Sequence, residues 1–186
     1  MFPFVFRYGV SFILSIGLCG GVRPAHADCV SLWATGATGA RTPSAARSSF
    51  KPDERLVLCV RLERDAFVSL WDVPPRGSLS RLYPNRFTHS SDLTLRAVKL
   101  EAGKDHCFGT PNTFPLYFPK EQGLGNGRLS AIVTDTLDGH PADGDWEIPG
   151  ARTVTRGRMN EITRQYGLGA TCTSRMNAYF DYRIAE

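Results

Sequence analysis

The stretch 55-RLVLCVRLERDAFVSLWDV-73 decides the fold. In its first half Leu56, Leu58, Val60 and Leu62 alternate with Val57, Cys59 and Arg61, so one face is wholly aliphatic. After the polar break at Glu63, Arg64 and Asp65, Phe67, Trp71 and Val73 fall on one side of a second run. Successive side chains of an extended backbone point to opposite faces, so a period of two predicts two strands. The following 74-PPRGS-78, with Pro74, Pro75 and Gly77, is a strong turn signal.

The same rhythm continues outward. A third strand is expected in 79-LSRLY-83, ending at Tyr83, Pro84 and Asn85. Proline removes a ladder donor and holds the residue before it extended. Asparagine closes turns through its own side chain, so this step predicts a structural corner. Further strands are expected in 93-LTLRAVKL-100, 104-KDHCFGT-110, 114-FPLYF-118 and 129-LSAIVTDT-136. Their number and spacing predict a mainly β protein, an antiparallel β-sandwich or open barrel. One stretch breaks the pattern: 156-RGRMNEITRQYGLG-169 sets Met159, Ile162 and Tyr166 at helical spacing before Gly167. It predicts one short helix near the C-terminus. Alternation returns in 175-RMNAYFDYRIA-185, where Met176, Ala178, Phe180, Tyr182 and Ile184 oppose Arg175, Asn177, Tyr179, Asp181 and Arg183. This pattern, rich in aromatics, predicts a final half-buried strand.

The N-terminus reads as a delivery signal. Arg7 precedes the apolar run 8-YGVSFILSIGLCGGV-22, and Ala25 and Ala27 supply small residues for a signal peptidase. Residues 1–27 are therefore expected to be a signal peptide cleaved after Ala27. The run of 15 residues falls short of the roughly 20 needed to span a bilayer, so no stable membrane insertion is expected after cleavage. A periplasmic or secreted chain follows. Residues 28–49, dominated by the small and polar 34-ATGATGARTPSAARSS-49, predict a flexible N-terminal arm. Residues 50–186 are left as a single β-rich domain.

Export makes the cysteines informative. Cys19 leaves with the signal, and Cys29, Cys59, Cys107 and Cys172 remain. An even number in an oxidising compartment predicts disulfides, with three possible connectivities. The absence of a C-x-x-C spacing argues against a zinc ribbon or a thioredoxin-like site. Cys59 and Cys107 both lie in strand-like segments and are the preferred pair, which leaves Cys29 for Cys172. The formal net charge of +4 loses Arg7 and Arg23 on cleavage. So balanced a chain, without a basic run, argues against nucleic acid binding.

Candidate chemistry is sparse. Asp105, His106 and Cys107 are consecutive, yet neighbours on a strand face opposite ways, and a disulfide-bonded Cys107 has no thiolate to offer. No G-x-S-x-G elbow occurs, and His89 sits in the polar turn 86-RFTHSSD-92. The glycines of 123-GLGNGRL-129 lack the Lys-Ser/Thr ending of a phosphate loop. Gly123, Gly125 and Gly127 are expected to allow a tight hairpin. The acidic loop over 135–147 offers Asp135, Asp138, Asp143, Asp145 and Glu147, oxygen donors that calcium prefers. Its spacing fails the calcium-loop consensus at Ile148, which leaves Asp138, Asp143, Asp145 and Glu147 as weak calcium candidates. No cofactor is expected. Tyr117, Phe118, Trp146, Tyr179 and Tyr182 exceed what a small sandwich requires. Such residues serve either a core or a recognition surface.

The order of segments carries a resemblance. The run 55-RLVLCVRLERDAFVSLWDVPPRGSLSRLYPN-85 resembles the start of the bacterial domain-of-unknown-function family 4384. That family shows a strand, an aromatic-rich strand, a glycine turn, and a third strand ending in an aromatic-Pro-Asn step, here Tyr83, Pro84 and Asn85. The segments 99-KLEAGKDHCFGTP-111 and 124-LGNGRLSAIVTDT-136 resemble its later parts. The resemblance covers residues 50–136, and 137–186 stand outside it as a C-terminal extension. Cys59 and Cys107 depart from the family pattern. The resemblance implies a β-sandwich-like accessory domain of exported or envelope proteins and implies no reaction. The sequence thus points to an exported, non-enzymatic accessory or adaptor protein that binds a protein partner in the bacterial envelope. The alternatives are a small envelope hydrolase built from His89, His106 or the acidic loop, and an inhibitor or immunity-type protein that blocks a partner's site.

Overall fold

The computed structural model describes residues 29–76, 79–85, 95–141, 164, 172 and 174–186. Among them run ten strands: β1 (Val30–Gly36), β2 (Ser49–Phe50), β3 (Arg55–Leu62), β4 (Ala66–Val73), β5 (Ser80–Tyr83), β6 (Val98–Leu100), β7 (Asp105–Phe108), β8 (Leu116–Tyr117), β9 (Gly125–Thr134) and β10 (Arg175–Ile184). They form two sheets and no closed barrel. The smaller has the order β1-β3-β7, with β8 also pairing β3; the larger runs β2-β10-β9-β4-β5, with β6 also on β4. Every pairing is antiparallel except β2 with β10.

The alternation read in the sequence becomes the sandwich. Leu56, Leu58, Val60 and Leu62 of β3 are buried against Val68 and Leu70 of β4, Leu129, Ala131 and Val133 of β9, and Met176, Tyr182 and Ile184 of β10 in one core cluster. Two aromatic groups close that core: Phe118 stacks on Tyr182 with centroids 4.0 Å apart and meets Phe50 edge-on, while Tyr83 packs on Phe108. The outer face of the larger sheet is buried as well, at Ser69, Trp71, Ser130, Ile132, Thr134 and Asn177.

Two expectations are corrected. The segment 28–49 is not a flexible arm throughout, because β1 pairs with β3 from Val30↔Leu62 to Gly36↔Leu56. Trp33 and Ala34 are buried, and the loop beyond folds back, with Trp33 Nε1 donating to the Arg41 carbonyl. The polar composition of 34–49 concealed this strand because half of its length lies upstream, in Val30, Leu32 and Trp33. Nor do the glycines of 123–127 make a hairpin. Gly123 caps a single 3-10 turn over Lys120–Gln122, and Gly125 and Gly127 already belong to β9. The helix expected over 156–169 lies outside the described residues save Arg164, which is helical. Residues 1–27, His89, Asp143, Asp145, Trp146 and Glu147 also lie outside them.

Candidate functional site

The residues singled out in the sequence first find structural roles. Cys59 and Cys107 sit opposite one another on β3 and β7 and are disulfide-bonded, with Cα atoms 4.1 Å apart. Their bridge packs on Trp33 and Val57 over the outer face of the smaller sheet. Cys29 is bonded to Cys172, Cα to Cα 5.4 Å, across 143 residues of chain. With Cys107 oxidised, the cysteine nucleophile is gone, and its neighbour His106 bonds the Glu101 carbonyl through Nε2 at 2.8 Å. Tyr83 is buried, and Asn85 Nδ2 donates to the Leu82 carbonyl, closing the corner after a cis Tyr83–Pro84 bond. Of the acidic loop, Asp135 is paired with Arg64 at 2.8 Å, and Asp138 is exposed. No group of three potential metal ligands occurs among the described residues.

Two buried polar networks were not legible in the sequence. The first lies on the outer face of the larger sheet. Trp71 Nε1 donates to Ser69 Oγ at 2.9 Å, and Ser69 Oγ is 2.7 Å from His140 Nε2. On the other side of the ring, Nδ1 is 3.1 Å from Thr134 Oγ1, whose proton goes to the Thr136 carbonyl. Thr134 therefore accepts from Nδ1–H, and Nε2 accepts from the Ser69 hydroxyl. Burial, together with the charges of Arg81 and Arg96, pushes the His140 pKa down to about 3, so the ring is neutral. The serine and histidine are spaced like a nucleophile and its base. However, Ser69 is 0% exposed, and a hydroxyl stands where an orienting carboxylate would be. This geometry fastens the 135–140 loop onto the sheet.

The second network lies at the opposite end of β4. Asp72 is buried and accepts from Tyr182 Oη at 2.7 Å and from Gln122 Nε2 at 2.9 Å. Desolvation outweighs both bonds and pushes its pKa up to about 6. Gly127 makes the arrangement possible, because a Cβ there would overlap the Tyr182 ring. Asp72 thereby pins Gln122, and with it the 3-10 turn between β8 and β9. The same connection is held a second time where Lys120 N donates to Asp53 Oδ1 at 3.2 Å, and by the stacking of Phe118 on Tyr182.

On this pinned connection two large apolar side chains face solvent, Tyr117 at 48% and Leu124 at 47% exposure. Phe118 and Tyr182, grouped with Tyr117 in the sequence, instead fill the core. The segment 116–125 is thus a fixed support with exposed apolar groups.

The strand order β2 to β9, with its aromatic-rich β4 and its corner at Asn85, is the arrangement expected of one known family. Residues 49–136 match the model of the domain of unknown function DUF4384. No curated protein matches the chain significantly. The DUF4384 segment comprises β2 to β9, including Asp72, Gln122 and the exposed Tyr117 and Leu124. It excludes β1 and β10, although β10 lies between β2 and β9 in the larger sheet. Tyr182, the second donor to Asp72, is therefore supplied from outside the DUF4384 segment.

Proposed function

We propose that the chain is exported with cleavage after Ala27 and serves in the bacterial envelope as a non-enzymatic accessory or adaptor protein that binds a protein partner. The observation that carries the reading is the half-exposed pair Tyr117 and Leu124 on a connection whose anchors, Asp72 and Phe118, are buried. Rigid support lowers the ordering cost of binding, and exposed aromatic groups supply anchors. Two disulfides fit a non-cytoplasmic, oxidising compartment. Among the described residues, no helix is long and apolar enough to cross a membrane.

The test is photo-crosslinking from the 116–125 connection in intact envelopes. A Tyr117→Ala/Leu124→Ala double variant should lose about tenfold or more of its specific crosslinks, the scale of one hot-spot residue, with its melting temperature unchanged. Unchanged crosslinking would remove this surface from consideration. The hydrolase alternative, read in the sequence from His89, His106 or the acidic loop, would come ahead on other residues if a fluorophosphonate probe labelled Ser69, which is bonded to His140, in the folded protein.

A further inference from the structure

A different face carries a second kind of chemistry. The register of β9 with β10 sets Asn126 opposite Arg183, Arg128 opposite Asp181, and Ser130 opposite Tyr179, all on the outer face of the larger sheet. Tyr179 is 44% exposed there. Its ring is not loose: the Arg128 guanidinium lies 4.2 Å from the ring centroid. That guanidinium is in turn held by Asp181, through Nε to Oδ1 at 2.6 Å and Nη2 to Oδ2 at 3.1 Å. The guanidinium thus covers one face of a ring that is fixed in place, and the exposed remainder of the ring stands next to a planar fork of charged hydrogen-bonding groups.

The surroundings choose among ligands. A protein hot spot needs an apolar collar that excludes water, and Tyr117 and Leu124 belong to a different connection. Among the described residues, the neighbours of Tyr179 on its face that reach solvent are Asn126, the half-buried Arg128, Asp181 and Arg183, which are polar or charged. An isolated ring inside such a rim complements a ligand whose own surface joins a flat C–H face to an edge of hydroxyls. A pyranose with equatorial substituents has that surface. Its C–H face would cover the side of the ring that Arg128 does not, while its hydroxyls donate to the Asp181 carboxylate and accept from Arg128. We propose that Tyr179, Arg128 and Asp181 form a carbohydrate-binding platform for β-linked, equatorially substituted glycans. This site is separate from the 116–125 surface and stands without it.

The probe is triacetylchitotriose, a β-1,4-linked oligosaccharide whose rings are equatorially substituted, titrated into the exported, purified chain. Binding is followed by calorimetry and by the NMR signals of the Tyr179 ring and Arg128 Nε–H. The expected result is saturable binding with shifts at both residues. Tyr179→Ala should weaken it about tenfold or more, whereas Tyr179→Phe, which keeps the ring, should leave it within about twofold. The Tyr117→Ala/Leu124→Ala variant should bind the sugar normally. Absence of saturation, equal affinity in Tyr179→Ala, or equal losses in the Ala and Phe variants would each overturn the proposal. So would binding of an oligoglutamate peptide at Tyr179 in preference to the saccharide, which would make the platform an acidic-protein site. Because Tyr179 is exposed, circular dichroism of each variant should match the parent.

Discussion

At the scale of single residues, two buried titratable groups pull stability in opposite directions with pH. His140 has its folded pKa depressed to about 3, below the ordinary value of about 6.5. Between those limits the unfolded chain binds more protons, so stability falls as pH falls through this window. Asp72 has its folded pKa raised to about 6 from the ordinary 3.8. There the folded chain binds more protons, so stability falls as pH rises from about 4 to about 6, and the full cost persists above. Asp72→Asn should therefore raise stability by about 2 to 3 kcal/mol near about pH 7.5 and by little near about pH 4. The new amide keeps an acceptor for Tyr182, and its N–H can meet Gln122 Oε1, a buried acceptor with no partner in the parent. Conversely, His140 alone contributes a loss of order 2 to 3 kcal/mol between about pH 7 and 4.5, which Asp72 largely offsets in the parent, so His140→Gln should leave a protein that gains stability on acidification over that range. Denaturant melts of the three proteins across that range check both expectations. If Asp72→Asn destabilises equally at every pH, the buried carboxyl is not paying a desolvation cost.

At the scale of elements, β9 and β10 form the longest ladder, paired from Arg175↔Thr134 to Ile184↔Gly125. Its lower half depends on Gly127, whose missing side chain lets the Tyr182 ring cross β9 to reach Asp72. Gly127→Ala should expel that ring, break the Tyr182–Asp72 bond and unstack Phe118. The expected cost is about 2 kcal/mol or more, from overpacking together with an underbonded buried carboxyl. Amide hydrogen exchange should show the 116–125 connection losing protection before β3 and β4 do. Uniform loss across the sheet would mean that the connection is not pinned through Tyr182. The glycine spacing was visible in the sequence, but its purpose was not: a turn glycine and a glycine beneath a ring look alike until a partner strand is placed.

At the scale of the whole molecule, the two sheets approach along one side where β1 runs close to β10. No ladder joins them among the described residues. Two features hold this side. At one end Cys29 is bonded to Cys172. At the other, Arg47 N donates to the Ala34 carbonyl, and Arg183 N to the Ser48 carbonyl. The Cys29–Cys172 bridge closes 143 residues of chain, against 48 for Cys59–Cys107, which joins strands already paired. Cys29→Ser/Cys172→Ser should lower unfolding free energy by about 2 to 5 kcal/mol, measured in denaturant without reductant. If the double variant matches the parent, backbone contacts alone hold the side together.

The sequence by itself determined whatever depends on neighbouring residues. The period of two set the strands in 55–73 and 175–185 and, in 55–62 and 175–185, their core faces, because a side chain's face follows from its place in the chain. In 66–73 both faces are apolar, and the core took Val68 and Leu70 while Phe67 and Trp71 went to the outer face. The Tyr83-Pro84-Asn85 corner and the family match over 49–136 were legible for the same reason. Strand-like segments also led to the pairing of Cys59 with Cys107. Tertiary structure alone decided what depends on residues far apart in the chain. Asp72 and Tyr182 stand 110 positions apart, and Ser69 and His140 stand 71 apart. A buried aspartate in a strand gives no local sign of its partners. Equally, nothing in the spacing of Phe118, Tyr179 and Tyr182 tells which ring enters the core and which meets solvent. That outcome belongs to the second sheet, which covers one face of β10 and leaves Tyr179 on the other.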